Sequence, residues 1–139
     1  MLFGGRNIKI VNKKLWQEFQ QPGRCEYCGL QCSKREPHHY LSRTPEITVR
    51  INLLSVGSTE LFQCECHNKI HAGTITRDQV LAKIAARETV DPEVIKEVLL
   101  MFRRLVKTTE KELGLELSFL SFDARLLAER ELHEAGIIG

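Results

Sequence analysis

Cys25-Glu26-Tyr27-Cys28-Gly29 and Cys64-Glu65-Cys66-His67-Asn68-Lys69-Ile70-His71-Ala72-Gly73 are the two ends of the stretch on which the reading of this chain turns. Between them lie His38-His39 and Asn52. All five cysteines and four of the five histidines of the 139-residue chain fall between Cys25 and Gly73, so metal-binding residue types are concentrated, not scattered. Cys-x-x-Cys followed by glycine is a tight turn that aims two sulfurs at one point, and Gly29 lets the backbone curl beneath an ion. The competing reading, a redox pair, needs a βαβ setting that the flanking sequence lacks. The second end reads as a short helix over 64–73. On it His67 and His71 share one face a single turn apart, which presents two imidazoles to one ion. Gly73 suits the end of that helix.

Counting donors separates two sites. A structural zinc takes four ligands, commonly thiolates. Cys25, Cys28, Cys64 and Cys66 complete one such set, with Cys32 as the alternative to Cys64. His38, His39, His67 and His71 are then left over. Four histidines converging from a strand and a helix suit a second, open metal site beside a general base.

Working outward, Pro37–Leu41 and Ile47–Ile51 read as two strands separated by the Pro45-containing break Ser42–Glu46, with Asn52–Val56 continuing the second. Gly57–Glu60 reads as a turn. Upstream, Gly4-Gly5 is a flexible entry and Ile8–Val11 a short strand. Asn12 caps a short helix whose Leu15, Trp16 and Phe19 form a core-facing stripe, ended by Gln21-Pro22-Gly23. Downstream the character changes. Thr76-Arg77-Asp78-Gln79 matches a capping box, and Val80, Leu81, Ile84 and Ala85 recur at helical spacing. Asp91-Pro92 opens a long amphipathic helix with Val94, Ile95, Val98, Leu99, Phe102, Leu105 and Val106 on one face, expected to run to Gly114. A last helix spans Phe122–Ala135, with Leu126, Leu127 and Leu132 as its apolar residues and Gly136 as its stop. His133 stands alone and reads as a surface residue.

Length and composition set bounds. The chain is 42% hydrophobic and 27% charged, ordinary for one globular unit. A core of this size gains from a metal staple. Residues 1–75 carry ten Lys/Arg against six Asp/Glu, and residues 76–139 ten against twelve. The metal-rich part is therefore the basic part, which favours a polyanionic partner. No apolar leader and no run long enough to span a bilayer is visible, so no membrane partner is expected. The odd cysteine count, close pairing and nearby histidines point to metal in a reducing cytoplasm.

The stretch resembles the HNH family of nucleases, on His38-His39, Asn52 and His67-Asn68-Lys69-Ile70-His71. The Cys-x-x-Cys knuckle and the cysteine before His67 resemble that family's zinc-stapled branch. The resemblance covers residues 24–73. It implies an α+β fold: a small two-stranded ββα-metal core with a zinc knuckle, over 1–75, followed by a helical extension over 76–139 for packing or homodimerisation. It implies a DNA endonuclease that nicks or cuts both strands. His39 is then the general base, His38, His67 and His71 the ligands of a catalytic Mg²⁺, Mn²⁺, Ni²⁺ or Zn²⁺, and Asn52 the residue that orients the base and holds the loop. It further implies structural Zn²⁺ on the cysteines and suits a phage or mobile-element enzyme. This chain departs from the family in two places. Cys64-x-Cys66-His67 replaces the usual Cys-x-x-Cys-His, with Gln63 where a ligand is expected. The segment from Asn52 to His67 is also long, so that counting back from His67 falls on Ser58. Two other readings stand beside the nuclease: a non-catalytic zinc module that binds nucleic acid or protein, and a structural zinc domain whose business lies in its helices.

Overall fold

The computed structural model describes residues 8–41, 46–58, 64–108 and 112–138. Its strands form three two-stranded sheets. β1 (Ile10–Val11) runs parallel to β5 (Ile47–Thr48). β2 (Gly23–Arg24) and β3 (Gln31–Cys32) are antiparallel and enclose the Cys-x-x-Cys turn. β4 (Arg35–His39) is antiparallel to β6 (Leu53–Gly57), with His38 opposite Leu54 and His39 opposite Leu53. Helices α1 (Lys13–Glu18), α2 (Cys66–His71), α3 (Arg77–Glu88), α4 (Pro92–Leu105), α5 (Leu113–Leu117) and α6 (Phe122–Glu134) complete the order.

The helix starts follow local hydrogen bonding. The Asn12 side chain accepts from the Leu15 amide at the head of α1. Thr76 and Gln79 make the reciprocal capping box of α3, and Asp91 caps α4 with Pro92 at its first position. Every residue of β6 is buried, and α2 and α3 both pack on it. Ile10, Val49 and Val56 share one buried cluster with Val80, Leu81, Ile84, Ile95 and Phe102, so the core crosses from the metal-rich part into the helices. α4 packs on α6 through the same cluster. Arg87 fixes α3 from the other side. Its guanidinium pairs with Glu26 in the knuckle at 2.8 Å and donates to the carbonyls of Leu53, also at 2.8 Å, and Arg50.

Several expectations from the sequence are corrected. The apolar run 47–56 is not one strand. Ile47–Thr48 pairs with β1, a 3₁₀ turn follows at Arg50–Asn52, and only then does β6 pair with β4. Alternation cannot reveal this, because Val49, Ile51 and Leu53 are buried on both sides of the turn. The strand expected at Pro37–Leu41 lies two residues earlier, ending at His39. The long helix does not reach Gly114: α4 ends at Leu105, and Gly114 sits inside the separate α5. Of the apolar residues of the last helix, Leu127 and Leu132 are buried and Leu126 is exposed. The helix at 64–73 is the shorter α2, and its Cys64 precedes it. Gly4-Gly5, the break at 42–45, Gln63 and the second half of the turn at Gly57–Glu60 lie outside the described residues.

Candidate metal centres

The knuckle is a wound turn. The Gly29 amide donates to the Cys25 carbonyl at 2.8 Å, the Cys25 amide donates to the Leu30 carbonyl at 2.9 Å, and Gly29 takes φ +81°, where a β-carbon is disfavoured. The turn is tied to β6 by the Glu26 amide donating to the Ser55 carbonyl and the Ser55 amide donating to the Glu26 carboxylate. Cys64 and Cys66 arrive from the start of α2. The sulfurs of Cys25, Cys28, Cys64 and Cys66 lie within 4.8 Å of one another. Sulfurs sharing a tetrahedral zinc at about 2.3 Å sit roughly 3.8 Å apart, so the set fits a metal such as zinc. Burial raises the thiol pKa at Cys66 and Cys28. At Cys25 burial acts the same way, but amides of Cys28, Gly57 and Tyr27 outweigh it and bring the pKa down to about 7. Cys32 stands apart from the set: it is buried, and its thiol donates to the Leu30 carbonyl.

A second set lies where β4 meets α2. Donor nitrogens of His38, His67 and His71 also lie within 4.8 Å of one another. His67 and His71 approach to 2.9 Å between their Nε2 atoms, and His38 meets both rings edge-on, at centroid distances of 6.0 and 5.4 Å. Two imidazole nitrogens this close either share a proton or face one cation. Three neutral nitrogens are a donor set that suits Mn²⁺, Ni²⁺ or Zn²⁺. Burial pushes the His38 pKa down to about 4, with the neighbouring His71, His67 and His39 acting in the same direction. His67 is lowered by burial as well, Glu36 opposing and His71 assisting. Both rings are thereby kept in the neutral form that ligates. Behind His67, Glu36 Oε2 lies 2.6 Å from Nδ1, and the other Glu36 oxygen accepts from Ser58 Oγ at 3.0 Å. A carboxylate on the far nitrogen fixes the tautomer of a metal-binding histidine and leaves Nε2 for the ion.

His39 belongs to the opposite face of β4, since neighbouring strand residues alternate. It is buried, its ring packs on Trp16 at 5.4 Å, and its Nε2 lies 3.1 Å from Thr48 Oγ1. Thr48 in turn donates to Glu46 Oε2 at 2.7 Å. The single hydroxyl hydrogen is committed to Glu46, so the oxygen must accept from His39 Nε2–H, and Nδ1 carries the ring's lone pair. Asn52 directs its side-chain hydrogen bonds to the backbone and not to the His39 ring. Its amide holds the chain around it: Oδ1 accepts from the Leu41 amide at 2.8 Å and Nδ2 donates to the Ile47 carbonyl at 2.6 Å. Its own carbonyl accepts from the Tyr40 amide at 2.8 Å. Asn52 thus closes the segment between β4 and β5, and Thr48 orients the histidine. Ser58, the other position counted for that asparagine, serves Glu36 instead.

The histidines open onto two clefts. One, of about 400 Å³, is lined by Trp16, Gln20, Lys34, Glu36 and all four histidines. The other, of about 510 Å³, is lined by His38, His39 and His71 and by residues of α3 and α4. Trp16 is half-buried against Leu15, Phe19 and Leu53 and is at once a core residue and a wall of the first cleft, which corrects its reading as core alone. Glu36, Glu46 and Thr48 were not legible as site residues. Glu36 alone carried a signal, standing two positions from His38 on the same strand face. His133 is exposed, far along the chain from either set.

Neither a family model, nor a curated protein, nor a solved structure matches the chain.

Proposed function

We propose that this protein is a metal-dependent DNA endonuclease of the HNH type, with β4, β6 and α2 as its ββα-metal core and the four cysteines as a structural zinc staple. The observation that carries the reading is a three-imidazole donor set beside a separate four-thiolate set, with a fourth histidine, His39, held by Thr48 at the same cleft. The four thiolates suffice for a structural staple, and the imidazole set is additional to it.

The chain's own residues support hydrolysis of a phosphodiester. His38, His67 and His71 would hold one divalent ion, with Glu36 steadying His67. When bound, that ion supplies neutralisation of the phosphate charge and stabilisation of the leaving oxygen. His39 takes the proton from the attacking water at Nδ1 while the water oxygen bonds to phosphorus and the bond to the 3′-oxygen breaks. An imidazole suits that transfer, since its ordinary pKa is near neutrality. Glu46 and Thr48 hold the tautomer with Nδ1 as the basic nitrogen, and Asn52 fixes the start of β5, the strand that carries Thr48.

The test is a supercoiled-plasmid assay of the wild-type protein beside His39→Ala, with Mg²⁺, Mn²⁺, Ni²⁺, Zn²⁺ or EDTA. Metal-dependent conversion to open-circle or linear DNA, reduced about 10²–10⁴-fold by the substitution, is expected. The ratio of the two products distinguishes nicking from double-strand cutting. Cleavage by His39→Ala at the wild-type rate refutes the mechanism. DNA shifted in a gel but uncut by either protein, with any of the ions, favours a zinc-stapled binding module.

A further inference from the structure

The second cleft leads away from the histidines toward helices that the nuclease reading leaves without a task. Its lining includes His38, His39 and His71 together with Arg77 of α3 and Arg103 of α4. Among the described residues, no acidic side chain lines it. The helices after Ile75 contain six arginines: Arg77, Arg87, Arg103, Arg104, Arg125 and Arg130. Four of these reach a carboxylate: Arg87 to Glu26 at 2.8 Å, Arg104 to Glu116 at 3.2 Å, Arg125 to Glu129 at 3.9 Å and Arg130 to Glu88 at 2.8 Å. Among the described residues, Arg77 and Arg103 have no carboxylate partner, and they are the two that line the cleft. Both are exposed. Arg77 is steadied by the face of Tyr40, its Cζ 5.1 Å from the ring centroid, and Tyr40 directly follows His39. The cleft therefore joins the proposed reacting centre to two uncompensated guanidinium groups over a floor of apolar side chains. That combination fits a strand of DNA, with sugar and base edges on the floor and backbone phosphates at the rim.

We propose that Arg77 and Arg103 bind backbone phosphates of the cleaved DNA strand beside the scissile position, which makes the helical extension a substrate-binding element and not only packing. This rests on the nuclease reading for the identity of the polyanion. The two guanidinium groups hold phosphates without reading bases, so they contribute affinity and register, not sequence preference.

The experiment measures binding and cleavage separately. Fluorescence anisotropy with a labelled DNA duplex is run over a series of salt concentrations. The proteins are zinc-loaded His39→Ala and the same protein carrying Arg77→Ala, Arg103→Ala or both. Arg104→Ala, whose arginine is paired with Glu116 outside the cleft, is the control. Removing one phosphate-binding arginine should lower the slope of log affinity against log salt by about 0.9, so the double variant should fall by roughly 2 while the control keeps its slope. In the background with His39 intact, the double variant should need more DNA for half-maximal cleavage and keep its rate at saturating DNA. Circular dichroism and zinc content check that the variants are folded. An unchanged slope and affinity in the folded double variant, with wild-type protein still cutting plasmid, overturns the cleft assignment and leaves the nuclease reading standing. Wild-type protein that neither binds nor cuts DNA overturns both.

Discussion

Glu36→Gln isolates the electrostatic part of the histidine site. Glu36 Oε2 lies 2.6 Å from His67 Nδ1, with the two side chains 28% and 15% exposed respectively. Glutamine keeps an acceptor oxygen at the same reach and removes the charge. A well-aligned hydrogen bond to a charged group contributes about 1.5–3 kcal/mol; the imperfect N–H alignment of this 2.6 Å contact and its partial exposure place it at the low end, about 1.5 kcal/mol. That energy is available only while His67 stays oriented for an ion, and it corresponds to about a tenfold loss of affinity. Glu36→Ala, which removes the acceptor as well and releases Ser58, should lose up to about 100-fold, the upper range for a carboxylate behind a metal-bound histidine. The assay is calorimetric titration of Ni²⁺ into protein whose thiolate site has been filled with zinc, with circular dichroism confirming an unchanged fold. Affinities of both variants within about twofold of wild type would refute the role given to Glu36. The same would follow from Glu36→Gln losing as much as Glu36→Ala, because charge would then not be what matters.

Thr48→Val should slow cleavage about tenfold and cost about 1–3 kcal/mol of stability by leaving His39 Nε2–H without its acceptor. Thr48→Ser should restore both, and Ni²⁺ affinity should be unchanged in either; a Val variant as fast as wild type excludes the orienting role. Cys28→Ser should prevent zinc uptake and unfold the knuckle, since a structural zinc contributes on the order of 10 kcal/mol in small modules. Soluble Cys28→Ser protein with a full zinc content and a wild-type melting temperature contradicts that. His38 also makes stability depend on pH. Its folded pKa of about 4 lies below the ordinary histidine value of 6.5, so between these limits the unfolded chain binds the proton and the folded chain does not. Stability of the metal-free protein should therefore fall as pH drops from 6.5 to about 4, and His38→Gln should flatten that part of the denaturation profile. An unchanged slope in the variant removes His38 as its source.

Some of this molecule is legible in short windows of its sequence. The knuckle, the His67–His71 pair and the caps at Asn12, Thr76 and Asp91 each depend on groups a few residues apart, where backbone geometry alone sets what meets what. The local pairs Cys25–Cys28, Cys64–Cys66 and His67–His71 could be nominated on that basis, and α3 and α6 could be placed by their apolar period. What required the tertiary structure is everything that depends on distant chain segments arriving together. The choice of Cys64 over Cys32 is one such case: Cys32 is near the knuckle in sequence, but its thiol turns to the Leu30 carbonyl. The division of 47–56 into two strands is another, because each half answers to a different partner. Glu36 meets His67 only because β4 lies against α2, and Thr48 reaches His39 only because Asn52 closes the loop between them. Spacing fixes which side chains share a turn or a face. Only the packed path of the chain decides which distant residue holds each histidine in place.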